Sequence, residues 1–260
     1  MWHYPNIDAI AISLGPISIH WYALSYLAGI GLVLWTLNIR ARTLPKNWNK
    51  DQISDLLFFG VLGVLLGGRF GYVIFYGAER AIADPVSILK IWQGGMSFHG
   101  GLVGVLLGMA YFAWTRKRRF FDVADFVAPS VPLALGCGRI GNFINTELPG
   151  RVTDVPWAVI FPGELIGRHP SSLYQAVLEG PVLFLILWMF AAQSRPPMAV
   201  SGLFLLGYGA LRIISELFRE PDTHLGYMMF ESITRGQLLS IPMALIGIFL
   251  ITYSYLSKNK

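Results

Sequence analysis

The sequence predicts an all-α integral membrane protein with about seven transmembrane helices, and its composition and apolar runs support this fold class. Apolar residues make up 54% of the 260 residues, charged residues 13% and aromatic residues 14%, whereas an average soluble domain is about 25% charged. A soluble globule cannot hide so much apolar surface from water, so lipid is expected to cover part of it. The 28 glycines and 15 prolines lie among long apolar stretches, which excludes a disordered chain.

A helix that crosses the bilayer core needs about 20 apolar residues, within a range of about 17 to 25. Stretches that approach this length, each expected to be a transmembrane helix, are 17–39, 53–76, 98–114, 126–140, 173–190, 203–218 and 238–256. The fourth and sixth stretches are short and carry charge, so we expect protein rather than lipid to line them.

Basic residues orient the chain, because cytoplasmic connections carry an excess of Lys and Arg. One set of connections holds eleven of them: Arg40, Arg42, Lys46, Lys50, Arg116, Lys117, Arg118, Arg119, Arg195, Lys258 and Lys260. The other set holds six: Arg80, Lys90, Arg151, Arg168, Arg219 and Arg235. We therefore predict an N-terminus outside and a C-terminus in the cytoplasm, one catalytic domain over 1–260, and outer loops at 78–97, 142–171 and 219–236.

The remaining composition argues against several other classes of protein. A net charge of +5 is explained by topology, so no nucleic-acid partner is expected. The single cysteine, Cys137, excludes an intramolecular disulfide, and the five histidines never occur at i, i+4 spacing, so no metal site is expected. No dinucleotide or P-loop motif indicates a cofactor. The glycine pairs at 67–68 and 100–101 lie inside apolar runs, where glycine permits close helix packing.

Charged residues inside the predicted spans are functional candidates, because each costs about 2.5–3.5 kcal/mol on insertion scales. With a helical rise of about 1.5 Å per residue, three arginines reach or pass the midplane from the cytoplasmic end: Arg69, Arg139 and Arg212. Three further polar side chains lie within about 9 Å of the outer ends of their spans: Tyr22, His99 and Glu179. The costly groups therefore converge on the outer half of the membrane.

The sixth predicted span carries a polar stripe, because Tyr208, Arg212, Glu216 and Arg219 follow helical spacing. An Arg212–Glu216 pair that neutralises itself is one interpretation. That interpretation does not explain Arg139 and Arg219, which leave an excess of guanidinium over carboxylate. Because guanidinium is planar, permanently charged and suited to phosphate, the excess favours a pocket for an anionic lipid headgroup.

Two glycine-bracketed segments are the other candidates. Residues 138–150 read GRIGNFINTELPG, which predicts a tight non-helical loop that presents polar side chains, or a re-entrant turn whose amides satisfy only its own backbone. Residues 94–101 read GGMSFHGG, and His99 is either a plain interfacial residue or a base that works near neutral pH.

Segment 138–150 resembles the signature of bacterial prolipoprotein diacylglyceryl transferases, G-R-x-G-N-F-x-N-x-E-x-x-G, at every fixed position. Motifs that extend the resemblance lie at 20–22, 67–69, 94–101 and 207–212. The resemblance implies transfer of the sn-1,2-diacylglyceryl group from phosphatidylglycerol to the lipobox cysteine of a prolipoprotein, which forms a thioether and releases glycerol phosphate. This is the first step of bacterial lipoprotein maturation.

The resemblance also implies partners and roles. The partners are phosphatidylglycerol, the lipobox signal peptide and the bilayer of the bacterial inner membrane, with the active site in its periplasmic half. We expect His99 to act as base, and Arg139 and Arg212 to hold the phosphate. The other residues predicted to bind or orient substrate are Tyr22, Arg69, Asn142, Asn145, Glu147, Gly150, Tyr208, Glu216 and Arg219.

Two other functions use the same residues. A transporter for an anionic solute or lipid would need the arginines as a binding site, but the seven spans show no obvious repeat and the polar groups lie to one side. An intramembrane serine protease would need Ser97 and His99 in contact. Residues at i, i+2 point about 200° apart on a helix and away from each other on a strand, which disfavours that pair.

Overall fold

The structure is a computed structural model that describes residues 1–15, 17–43, 48–90, 92, 94–221 and 234–258. Its helices in these ranges are α1 Trp21–Thr43, α2 Lys50–Tyr76, α3 Ala78–Ala83, α4 Phe98–Thr115, α5 Phe120–Val127, α6 Val131–Ile144, α7 Ser171–Val177, α8 Leu183–Phe190, α9 Ala199–Glu216 and α10 Arg235–Lys258. Its strands in the same ranges are β1 Trp2–His3, β2 Ile10–Leu14, β3 Ile17–His20 and β4 Val159–Ile160.

In this part of the chain, six helical segments are long and apolar enough to cross a membrane: α1, α2, α4, α7 with α8, α9 and α10. A seventh crossing results if α5 and α6, which are bent by 52°, form one span. The predicted fold class, a helical protein that crosses the membrane several times, is confirmed. Residues 222–233 of the predicted outer loop at 219–236 lie outside the described residues.

The first predicted span was wrong at its start, because residues 17–20 form β3 and not a helix. β3 pairs antiparallel with β2, and Gly15, with φ +61°, lies between the two strands. Glycine adopts that backbone region without a steric penalty, so the chain turns back there. The span therefore begins at Trp21 and ends at Thr43. β1 and β4 form a second, parallel pair, so short strands accompany the predicted helices.

The fourth predicted span, 126–140, is two helices. α5 ends before Pro129 and α6 begins just before Pro132, and proline lacks the N–H that a continuous helix requires. α6 continues to Ile144, so the prediction of a non-helical loop over 138–150 is wrong for residues 138–144. Gly141 serves packing and not a turn: a Cβ there would lie 2.9 Å from the Tyr22 ring.

The chain forms two compact units, Met1–Thr36 with Asp125–Lys260, and Leu37–Ala124. In the second unit, α2 and α4 pack along glycines spaced four residues apart: Gly63, Gly67 and Gly71 of α2 face Gly100 and Gly104 of α4. A Cβ at Gly71 would lie 2.8 Å from the Cα of Gly100. The prediction that Gly67 and Gly100 permit close helix packing is confirmed.

In the first unit, α6 packs between α1 and α7. A Cβ at Gly29 of α1 would lie 2.9 Å from the Cα of Ala134, and one at Gly136 would lie 3.1 Å from the Cα of Gly180. Asp125 of α5 accepts hydrogen bonds from the backbone N–H groups of Met198 (2.7 Å) and Ser201 (2.8 Å), which caps α9. These contacts hold α1, α6, α7 and α9, which carry polar side chains described next.

Candidate active site

Five charged side chains of the first unit form one group, the arginine cluster: Arg139, Glu179, Arg212, Glu216 and Arg219. Its centre is Glu179, whose side chain is fully buried. One carboxylate oxygen accepts from Nε of Arg139 at 3.0 Å, and the other accepts from Nη1 of Arg212 at 3.1 Å. A single carboxylate therefore holds guanidinium groups from α6 and α9.

The position of Glu179 coincides with a break in its helix. It lies in a π-helical turn, Leu178–Val182, between α7 and α8. Gly180, the next residue, has non-helical dihedrals (φ −95°, ψ −108°), and Pro181 follows it. Proline cannot donate the backbone hydrogen bond that would continue the helix, so the chain bends beside the buried carboxylate.

The polar face of α9 is present as its spacing predicts. Arg212 pairs with Glu216 one turn later, and Nη1 of Arg219 lies 3.4 Å from the same carboxylate, just after α9 ends. The hydroxyl of Thr234 donates to the other oxygen of Glu216 at 2.8 Å. Tyr208, one turn before Arg212, places its hydroxyl beside Arg139 and Glu179.

The cluster holds three guanidinium groups against two carboxylates. The Arg212–Glu216 pair exists, but it does not isolate Arg212, because Glu179 joins that residue to Arg139. The sequence analysis counts Glu179 among the costly polar side chains near the outer ends of the spans, and Glu179 is absent from the predicted site residues. A carboxylate inside a membrane span needs a cationic partner, and this rule would have identified Glu179 as a site residue.

Polar side chains at the end of α6 surround a second carboxylate, Glu147. The side-chain amide of Asn142 donates to Glu147 at 2.7 Å, and that of Asn145 donates at 3.2 Å. The hydroxyl of Ser172, in the first turn of α7, donates to the backbone carbonyl of Glu147 at 3.0 Å. Asn142 lies one turn after Arg139 on α6, so the helix itself links this group to the arginine cluster.

Tyr22 borders the same group from α1. Its hydroxyl lies beside Asn142 and Glu147, and it is 3.1 Å from the hydroxyl of Tyr26. The close approach of the ring to Gly141 brings the first turn of α1 against α6. The structure therefore brings Tyr22, Asn142 and Glu147 together, as three of the residues predicted for one site.

Gly150 ties the end of the signature segment to the end of α9. It forms an antiparallel bridge with Arg219, and the N–H of Arg151 donates to Phe218 at 2.9 Å. A Cβ at Gly150 would lie 2.8 Å from the backbone carbon of His169, so only glycine fits. Burial lowers the pKa of His169, whose ring packs edge-on against Phe218.

The other two predicted site residues, Arg69 and His99, belong to the second unit. Arg69 is buried and directs its donors at backbone carbonyls of the connection between α3 and α4: Ser87, Ile88, Lys90, Gly94 and Gly95. A guanidinium group has five N–H donors in a rigid fork, which suits donation to several backbone carbonyls. Arg69 therefore organises the segment that leads to His99, and a substrate contact for it stays a prediction.

His99 lies in the first turn of α4, where its exposed ring meets Phe98 edge-on at 5.6 Å. The neighbouring Ser97 is the N-cap of that helix, and its side-chain oxygen accepts from the N–H of Gly100 at 3.2 Å. The hydroxyl that a Ser97–His99 protease would use is thus engaged in capping. The proposed role of His99 as a base stays a prediction.

Apolar helices long enough to cross a membrane, together with a buried group of arginine and glutamate side chains, define a multi-pass membrane protein with a polar site. Comparison with known families is more specific. The chain belongs to the prolipoprotein diacylglyceryl transferase family, whose sequence profile matches residues 9–253.

Its relatives include proteins named phosphatidylglycerol–prolipoprotein diacylglyceryl transferase. It is 52% identical to the one from Ectopseudomonas mendocina over 257 residues, which covers 98% of this chain and 97% of the relative. It is 54% identical to the one from Vibrio cholerae over 253 residues, which covers 97% and 93%. The protein from Aeromonas hydrophila is 53% identical over 255 residues, which covers 98% and 93%.

Proposed function

We propose that this transferase moves the sn-1,2-diacylglyceryl group of phosphatidylglycerol to the lipobox cysteine of prolipoproteins. The reaction is the first step of bacterial lipoprotein maturation, and it takes place in the outer half of the inner membrane. The observation that carries the proposal is the pair of arginines, Arg139 and Arg212, held by one buried carboxylate of Glu179. Membership in the family and the names of the relatives support the choice of both substrates.

The arginine cluster suits the charge of the donor lipid. The described members of the arginine cluster are three guanidinium groups and two carboxylates. The phosphodiester of phosphatidylglycerol is an anion, and guanidinium groups in a low-dielectric environment favour an anionic ligand. Arg139 uses Nε for Glu179 and keeps a fifth of its side chain exposed, which suits a forked contact with phosphate oxygens.

The reaction replaces a carbon–oxygen bond with a carbon–sulfur bond. A base removes the proton of the cysteine thiol, which has a free pKa near 8.5 and is therefore mostly protonated at neutral pH. The thiolate attacks the glyceryl carbon that is bonded to the phosphate oxygen. That carbon–oxygen bond breaks, its electron pair leaves with glycerol phosphate, and a thioether remains. His99 is the proposed base, and Arg139 and Arg212 stabilise the charge that grows on the leaving phosphate.

Glu147 and the residues around it are proposed to orient the substrates. Asn142 and Asn145 fix its carboxylate, and Tyr22 covers it from α1. A carboxylate that is already held by two amides is pre-organised, and pre-organised acceptors lower the barrier without reorganising during the reaction. Gly150 and Arg219 close this group against the end of α9.

One assay tests the proposed function directly. Purified full-length protein is mixed with phosphatidylglycerol and a lipobox peptide, and the peptide mass is read over time. We expect a gain of one diacylglyceryl group, and no gain on a peptide whose lipobox cysteine is replaced by serine. If the folded protein adds no mass to the cysteine peptide, the result contradicts the proposal.

The phosphate contact is tested in the same assay with Arg139→Ala. We expect turnover to fall by more than about tenfold, because charge-assisted hydrogen bonds contribute about 1.5–3 kcal/mol. Arg119→Ala is the matched control, since its side chain is 71% exposed and pairs with Asp122 on the surface. Equal turnover in the two variants would remove Arg139 from the phosphate site.

A further inference from the structure

Gln175, in α7, is a fully buried side chain whose amide is not used by the protein itself. Its side chain has no exposed surface, and neither Nε2 nor Oε1 has a hydrogen-bond partner among the described residues. A buried amide with both ends unpaired destabilises a fold, so native structures seldom keep one without another role. Replacement by an apolar residue of similar size would remove that cost.

The helix that carries Gln175 places it between the two polar groups of the site. Ser172, Gln175 and Glu179 follow spacings of three and four, so they share one face of the helix. Ser172 contacts the carbonyl of Glu147, and Glu179 holds Arg139 and Arg212. Gln175 therefore lies about one turn, or about 6 Å along the helix axis, before Glu179, whose carboxylate positions the arginines.

A second buried and unpaired oxygen lies in the same region. Oδ1 of Asn145 has no hydrogen-bond partner among the described residues, although its amide nitrogen binds Glu147. Three unpaired atoms thus belong to two side chains: Gln175, which lies between Ser172 and Glu179 along its helix, and Asn145, which contacts Glu147. Both side chains offer neutral donors and acceptors, which suit hydroxyl groups better than a charged phosphate.

We propose that Gln175 binds the headgroup glycerol of the donor lipid, a role that rests on the proposed function. With the phosphodiester at Arg139 and Arg212, the acyl chains extend into the membrane and the headgroup glycerol points to the outer side. α7 enters the membrane from that side, so Gln175, four residues before Glu179, lies on the headgroup side of the phosphate. Its amide offers two donors and one acceptor to the vicinal hydroxyls of glycerol.

The test compares wild type with Gln175→Met, which keeps the length of the side chain and removes its polar atoms. We expect KM for phosphatidylglycerol to rise about 5- to 50-fold, as for loss of one or two hydrogen bonds. Inhibition by phosphatidic acid, which has the phosphate and lacks the glycerol headgroup, should change less than about twofold, because the arginines are intact. Thermal stability should be equal or higher, since an unpaired buried amide is gone.

Several outcomes would overturn the inference. An unchanged KM would do so, and so would an equal loss of affinity for phosphatidic acid. If Gln175→Met does not fold, Gln175→Leu takes its place, and instability of both would show that the amide serves the fold.

Ser254→Ala is the matched control, because the Ser254 hydroxyl is also buried without a described partner, on α10. Its KM should equal that of wild type. Failure of wild type to use phosphatidylglycerol would instead overturn the proposed function and this inference with it.

Discussion

At the scale of single residues, Glu179 determines how Arg139 and Arg212 can act. Two arginines without a carboxylate would repel each other in a medium of low dielectric constant. One shared carboxylate sets a distance of 3.0 to 3.1 Å on each side and keeps both cations in place. In the proposed function, the phosphate of the donor lipid binds between these two cations.

Glu179→Gln tests this arrangement, because it keeps the size of the side chain and removes its charge. The two guanidinium groups would lose their common counter-ion, and breaking a buried ion pair costs about 3–5 kcal/mol. We expect a lower melting temperature in detergent and a fall in turnover of more than about tenfold. Glu164→Gln is the control, since Glu164 is 30% exposed and pairs with Arg168. Equal melting temperatures for the two variants would contradict the central role of Glu179.

His99→Gln tests the proposed base. General-base catalysis contributes about 10²–10⁴-fold, so we expect turnover at neutral pH to fall by at least 100-fold. The deficit should shrink as the pH approaches the thiol pKa near 8.5, because the peptide then supplies its own thiolate. His3→Gln, at an exposed histidine outside the family motifs, should behave like wild type. A deficit that stays constant with pH would move the base to another residue.

Site residues that share a motif or one face of a helix were predictable from the sequence. Arg139, Asn142 and Glu147 lie within nine residues of each other, so a short motif exposes them. Glu179 lies 40 residues after Arg139, and the link between them is a contact between helices. Gln175 could not be identified from the sequence, because only the structure shows that its amide is buried and unpaired.

At the scale of elements, the lengths of the apolar runs predicted the long helices, because a lipid-facing backbone must pair its own polar groups. The lengths of the apolar runs did not predict the breaks in these helices, because the breaks depend on where prolines lie within a run. Pro129 and Pro132 split the fourth span, and Gly180 with Pro181 bends the fifth beside Glu179. Glycine was ambiguous in the same way: Gly15 lies at a turn, whereas Gly141 packs inside α6.

The glycine seam between α2 and α4 carries a prediction of its own. A Cβ at Gly104 would lie 2.8 Å from the backbone carbon of Gly63, so Gly104→Ala must push the helices apart. Overpacking of this kind costs about 1–3 kcal/mol, which should lower the melting temperature measurably in detergent. Gly60→Ala, on the same helix α2, meets nothing within 4 Å and should leave it unchanged. The same decrease in both variants would show that the seam is not what limits stability.

At the scale of the whole molecule, the direction of the chain across the membrane rests on charge. Eleven basic residues in one set of connections against six in the other favour one orientation. The proposed chemistry has the same requirement, because an exported lipobox and a released glycerol phosphate both belong on the outer side. Topology and reaction would be incompatible if the loop that contains Asp154 lay in the cytoplasm.

Cysteine labelling measures this orientation. Cys137 is the single cysteine, so Cys137→Ala gives a background without thiols, and it should keep turnover because the reactive thiol belongs to the substrate. Asp154→Cys and Ser194→Cys then place exposed thiols in two connections of predicted opposite sides. In intact spheroplasts, an impermeant maleimide should label the first and reach the second only after lysis. Labelling of Ser194→Cys before lysis, with Asp154→Cys protected, would reverse the topology and place the arginine cluster where no exported peptide can reach it.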